Sequence, residues 1–213
     1  AYVRLQIQEA LQTSAPILYH MGPSGNQSPR YAVRAQTFAE AERIGRHMGR
    51  EVAQALQSLP AERFSATARL LGRLAAVDLP RRRLPDLAEA ERRLELCRQT
   101  FARLQADRAP HGPLRTAECA VFGAEETVTL ARAQAEGRLD DWLKNFLPAD
   151  VQMLRIGPRA LIGFPAELFV EYGLRLRELS RQSAFAISLV NGDLQGYIVT
   201  PEAAQQGGYE AAN

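Results

Sequence analysis

The sequence predicts an α/β protein in which helices flank a mixed sheet, with a long helical hairpin insertion. Three observations predict this class. Helical apolar spacing and short apolar runs alternate along the whole chain. Residues 151–156 and 159–164 have the pattern of two strands joined by Gly157 and Pro158, which is a hairpin signal. Two long helical patterns occupy residues 86–137 and indicate the insertion.

The first residues favour one helix and one strand. Residues Tyr2–Leu11 have amphipathic spacing, so we expect a short helix there. The apolar run Pro16–Met21 predicts a buried strand that opens into a loop rich in turn formers over residues 22–31.

A long helix and a second strand are expected next. Residues 37–59 carry apolar side chains at helical spacing, and Pro60 ends the pattern. Thr37, with Glu40 three residues later, predicts a capping box at the start of this helix. Residues 64–79 alternate weakly and favour a strand.

The remaining elements follow the same two periodicities. Residues 86–106 and about 115–135 predict the two helices of the insertion. Residues 165–179 predict a further helix, and 185–190 a strand that ends in the loop 191–200.

Composition narrows the functional classes. The net charge is only +2, so no strong field attracts nucleic acid, and no apolar run is long enough to span a bilayer. Cys97 and Cys119 have no histidine or cysteine at metal-ligand spacing; free thiols are favoured, and a disulfide stays open. The chain starts with neither Met nor a signal-like segment, which is typical of a processed or truncated product.

Two groups of residues could carry chemistry at strand ends. The loop 22–30 places Ser28 where side chains and free N–H groups converge in α/β folds, although a plain turn explains the same residues. Glu167 follows an apolar strand and a proline; a helix cap is the favoured interpretation and a metal ligand the alternative, with Glu171 as the competing carboxylate.

Tyrosines complete the candidate set. Tyr197 lies in the segment NGDLQGYIVT, and Tyr209 follows in GGYE. A half-buried aromatic with a satisfied hydroxyl is the favoured interpretation of each, because tyrosine rarely binds metals.

The order of these segments resembles the neutral/alkaline non-lysosomal ceramidase family. The similar pieces are GNQSPRY, IGFPAELFVEYGLRLRE, LVNGDLQGYIVT and GGYEA, at both ends of the chain. The two long helices between them match no motif of the family. The resemblance implies a zinc ion (Zn2+) held by two histidines, Glu167 and Tyr197, with Ser28 as the catalytic serine and Tyr209 near the substrate.

The same resemblance implies that the site is incomplete within this chain. The family's two histidine ligands precede the serine loop, so we expect them upstream of Ala1. His20, His47 and His111 do not replace them, and His20 is expected to be a packed core residue. We therefore expect residues 1–213 to form a partial catalytic domain, with the helical insertion over about 86–137.

One position departs from the family. Asn26 stands where the serine loop typically carries aspartate, and a lost carboxylate weakens any charged network around the serine.

The implied activity is zinc-dependent amide hydrolysis of an N-acyl sphingosine-like lipid to a fatty acid and an amine. A hydrolase of another amide or ester and a degenerate non-catalytic homologue are the alternatives. The implied partners are the lipid amide substrate, a membrane surface contacted peripherally, and the upstream segment of the same protein; nucleic acid is not among them. A secreted or periplasmic location is what the family suggests.

Overall fold

The α/β class is confirmed in the computed structural model, which describes residues 1–181, 183–192 and 196–212. The chain divides into two compact units. One comprises residues 1–20 and 32–69, and the other comprises residues 21–31 and the chain from Leu70 onward.

The first unit is helical. Helix α1 spans Tyr2–Leu11 and helix α2 spans Phe38–Gln57, as the periodicity predicts. Thr37 caps α2, because its Oγ1 accepts a hydrogen bond from Glu40 N at 3.2 Å. The reciprocal half of the predicted capping box is wrong. The Glu40 carboxylate accepts instead from Arg43 and from Arg34 N, and these bonds, that of Arg43 first, lower the pKa of Glu40 to about 2.

The predicted strand Pro16–Met21 is also wrong. The segment forms no element and is mostly exposed, with Leu18 80% accessible. An apolar run becomes a strand only where another strand supplies hydrogen-bond partners. Among the described main-chain groups of residues 16–21, only Met21 O has a backbone partner outside the segment. It accepts a hydrogen bond from Ser188 N at 3.0 Å.

The second unit holds the sheets and the helical insertion. Its elements, in chain order, are β1 (Leu70–Val77), α3 (Leu87–Ala106), α4 (His111–Ala135), α5 (Leu139–Leu143), β2 (Ala149–Ile156), β3 (Arg159–Gly163), β4 (Glu167–Leu168), α6 (Val170–Leu179), β5 (Ala184–Ile187), β6 (Tyr197–Ile198), α7 (Pro201–Gln206) and α8 (Tyr209–Ala212).

The main sheet is mixed. Its strand order is β1-β2-β3-β5, with β1/β2 and β2/β3 antiparallel and β3/β5 parallel. The predicted β2–β3 hairpin is confirmed, and Gly157 makes its turn at a φ of 57° that favours glycine. The strand predicted over 64–79 exists as β1, with all its side chains exposed. A small core of Ala166, Leu168 and Ala186 joins β5 to β4.

The helical hairpin is confirmed. Asp86 caps α3 by accepting from Glu89 N at 2.8 Å, and α3 packs on α4 through a core of Ala90, Leu94, Ala124, Val128 and Ala131. Helix α4 begins at His111, earlier than the sequence suggests. Pro113 lies in its first turn, where an absent N–H costs no intrahelical bond.

Three further outcomes concern single features. Helix α6 begins at Val170, so the predicted helix start at Pro165 is wrong. Cys97 and Cys119 are free thiols, as favoured. Within the described residues, every helix is too short or too polar to cross a membrane.

Candidate functional site

Glu167 and Tyr197 are neighbours in a short parallel ladder. Strand β4 pairs with β6, with Glu167 opposite Tyr197 and Leu168 opposite Ile198. Glu167 N donates to Gly196 O at 2.9 Å, and Phe169 N donates to Ile198 O at 3.2 Å. Residues directly opposite in a ladder point to the same face. The carboxylate and the phenol therefore share one side of this ladder.

The favoured interpretation of Glu167 as a helix cap is wrong. Glu167 lies in β4, and Phe169 separates this strand from the first residue of α6. Burial, which disfavours the charged phenolate, is the largest cause of the raised pKa of Tyr197. The nearby half-buried carboxylate of Glu167 raises this pKa further.

Tyr209 joins this pair from α8. Its ring meets that of Tyr197 edge to face, with centroids 5.7 Å apart and planes at 74°. Burial is the largest cause of the raised pKa of Tyr197, and the neighbouring Tyr209 adds to it. Burial is again the main cause of the raised pKa of Tyr209. Both tyrosines are half-buried, as the sequence predicts, and the register of Tyr197 with Glu167 is the added observation.

The serine loop contacts the same strand. Gly25 N donates to Leu168 O at 2.8 Å. A Cβ on Gly25 would lie 2.6 Å from Glu167 O, closer than real Cβ atoms come, and at a tight 3.0 Å from Phe169 Cδ1. Glycine is therefore required for the loop to approach β4 this closely.

Asn26 fastens the loop to the start of α6. Its Oδ1 accepts from Val170 N at 2.9 Å, which satisfies one of the free N–H groups of the helix. Its Nδ2 donates to both carboxylate oxygens of Glu171, at 3.1 and 2.9 Å. Sequence reasoning missed this cap because Asn26 precedes the helix by more than a hundred residues. Asn26 thus has a structural role that aspartate would not reproduce.

Ser28 follows on the exposed side of this loop. Ser24 O accepts from Gln27 N at 2.8 Å, so the plain-turn interpretation holds for residues 24–27. Ser28 comes directly afterwards and is exposed. The structure brings Glu167, Tyr197 and Tyr209 together, and places Ser28 on the loop that contacts β4.

The donors for a metal are incomplete in the described chain. Over residues 1–181, 183–192 and 196–212, no three His, Cys, Asp or Glu residues form a group that could hold a metal ion. His20, His47 and His111 are all exposed, so the expectation that His20 is a core residue is wrong. A carboxylate is an ordinary zinc ligand and a phenol a rare one, so the two residues could supply at most half of a four-coordinate zinc site. Glu171 is engaged by Asn26 and does not compete for that role.

In comparisons with known proteins, the chain matches no family model, no curated protein and no solved structure. The functional interpretation therefore depends on the motifs and on the geometry of these residues.

Asn26→Asp is expected to destabilise the serine loop. A carboxylate at this position would face the Glu171 carboxylate about 3 Å away, where the amide now donates two hydrogen bonds. Losing charge-assisted bonds of this kind typically costs about 1.5–3 kcal/mol of unfolding free energy. Urea denaturation of the wild type, Asn26→Asp and the double variant Asn26→Asp/Glu171→Gln would measure it. The double variant should recover most of the loss; equal stability of Asn26→Asp and wild type would show that the contact contributes nothing.

Proposed function

We propose that this chain carries most of the catalytic domain of a zinc-dependent amide hydrolase of neutral ceramidase type. Its substrate class is N-acyl sphingosine-like lipids, which it cleaves to a fatty acid and an amine. One observation carries the proposal. Glu167 and Tyr197 are opposite residues of β4 and β6, and Tyr209 packs on Tyr197. These are the residues that the motif order assigns to the zinc and the substrate, and the motifs lie in three separate segments.

Glu167 and Tyr197 would hold the zinc, with two histidines from sequence that precedes Ala1. A zinc ion in such a site polarises the amide carbonyl and lowers the pKa of water. Placing two oxygen donors on paired strands sets their separation through the backbone, so their spacing does not depend on flexible loops.

Ser28 would act on the substrate carbonyl. The hydroxyl either attacks the carbonyl carbon or donates a hydrogen bond to the carbonyl oxygen as negative charge develops on it. Tyr209 offers a second hydroxyl beside Tyr197. It would orient the amide.

Zinc content and substrate range of the natural full-length protein test the proposal. We expect about one zinc per chain, as a catalytic site of this class binds. We also expect fatty acid release from ceramide that a chelator abolishes and added zinc restores. Hydrolysis of short N-acyl amides or esters without hydrolysis of ceramide would support the alternative, a hydrolase of the same architecture with another substrate. A protein with no bound zinc and no hydrolysis of any of these substrates would contradict both.

A further inference from the structure

Helix α4 of the helical hairpin makes packing contacts on two of its faces. One face packs on α3 through Ala124, Val128 and Ala131. Another carries Gly112, Thr116 and Cys119, which are spaced four and three residues apart and so lie on one side of the helix. The contacts of this second face reach the candidate site at two places.

The first contact is with the end of the serine loop. Tyr31 closes the 3₁₀ turn Pro29–Tyr31 that directly follows Ser28. A Cβ on Gly112 would lie 2.2 Å from Tyr31 Cε1 and 2.4 Å from Cδ1, so the ring lies directly on the helix backbone. The Tyr31 hydroxyl also lies 3.2 Å from Thr116 Oγ1. The loop is therefore held on both sides of Ser28, by β4 before it and by α4 after it.

The second contact is with Tyr209. Helix α8, which carries Tyr209, packs against α4, and Cys119 of α4 is near enough to Tyr209 to interact with it. Tyr209 thus lies along the same helix, after the turn that holds Tyr31.

We infer that α4 is a positioning element of the site, in which Gly112 and Thr116 set the place of the Ser28 loop relative to Tyr209. One rigid helix contacts both parts, so their separation is fixed by its backbone. The insertion, which the sequence motifs leave unassigned, is in this account part of the catalytic arrangement. The catalytic consequence rests on the proposed function; the docking of Tyr31 and Tyr209 on α4 does not.

Gly112→Ala tests the inference in the full-length protein. The added methyl must displace the Tyr31 ring, which is 72% exposed and therefore turns away from α4 and releases the end of the serine loop. Misplacement of a reacting group by about 1 Å costs up to about 100-fold in rate. We expect kcat to fall about 10- to 100-fold with KM and zinc content nearly unchanged.

Three further variants serve as controls. In a Tyr31→Ala background, Gly112→Ala should have no further effect on kcat. Gly72→Ala is the control, because a Cβ there meets nothing within 4 Å. Thr116→Val removes the hydroxyl that meets Tyr31 and donates to Gly112 O, and it is a milder variant that should also lower kcat.

A second readout does not depend on turnover. In zinc-free protein with labelled tyrosine rings, Gly112→Ala should shift the NMR resonances of Tyr31, and Cys119→Leu should shift those of Tyr209. Unmoved resonances in both variants would overturn the docking of these rings on α4. Shifted Tyr31 resonances with unchanged kcat would overturn the positioning role. If the wild type hydrolyses no substrate, the proposed function fails, and the resonances alone decide whether α4 holds the two tyrosines.

Discussion

Glu167→Gln should strip zinc from the full-length protein and reduce kcat/KM by well over about 100-fold, since changes to residues behind a metal ligand already cost about 10–100-fold. Glutamine keeps the shape of the side chain and one oxygen, so strand β4 and its pairing with β6 should survive. It removes the negative charge, which is what binds the cation most strongly. Zinc analysis, thermal unfolding and kcat/KM of the same preparations measure the three consequences separately.

Glu171→Gln is the matched control for that substitution. Glu171 lies four residues further along, but its carboxylate accepts from Asn26 Nδ2 at the start of α6. Glutamine at 171 keeps one oxygen that accepts from Asn26, so the replacement should leave zinc content unchanged and lower kcat/KM far less than Glu167→Gln does. Loss of zinc in Glu171→Gln, with zinc retained in Glu167→Gln, would exchange the two assignments and contradict the site described above.

Gly25→Ala should undock the serine loop and destabilise the second unit. Its Cβ would lie 2.6 Å from Glu167 O. The backbone fixes the position of the Cβ, and Glu167 O is itself a backbone atom, so no side-chain rotation can relieve the clash. Overpacking of this kind costs about 1–3 kcal/mol, and a weakened bond from Gly25 N to Leu168 O adds to it. Because Ser28 lies on this loop, kcat should fall as well.

Gly22→Ala provides the comparison for Gly25→Ala. It lies in the same loop, and a Cβ at this position meets nothing within 4 Å. Urea denaturation and kcat should be measured for both variants. A loss in Gly25→Ala alone shows that glycine is required at this position, whereas a loss in both shows that any reduction of loop flexibility has the same effect. Equal behaviour of the two variants would show that the close approach of the loop to β4 is unimportant.

The sequence correctly predicts helices and turns whose capping residues, turn residues and apolar spacing lie within one short segment. Asp86 begins α3 because a capping side chain and the apolar spacing lie within one segment, and Gly157 marks the β2–β3 turn by itself. The segments that failed depend on distant partners. Pro16–Met21 has the composition of a strand but no adjacent strand, and Glu167 became a strand residue only because Tyr197 pairs with it.

The candidate site also combines residues that the motifs predict with contacts that they do not predict. The order of the motifs singled out Glu167, Tyr197 and Tyr209, and these three side chains lie together. The cap that Asn26 supplies to Val170, and the contact of Tyr31 with Gly112, involve segments far apart in the chain. No local periodicity encodes contacts of that kind, so they become visible only when the chain is folded.

The most direct test is diffraction from crystals of the zinc-loaded full-length protein at the zinc absorption edge. Glu167 and Tyr197, as paired donors, should each contribute an oxygen about 2 Å from a single anomalous peak, a bond length typical of oxygen ligands. The Ser28 hydroxyl should face the same peak. A peak bound by other residues, with the carboxylate and the phenol turned away from it, would contradict the account.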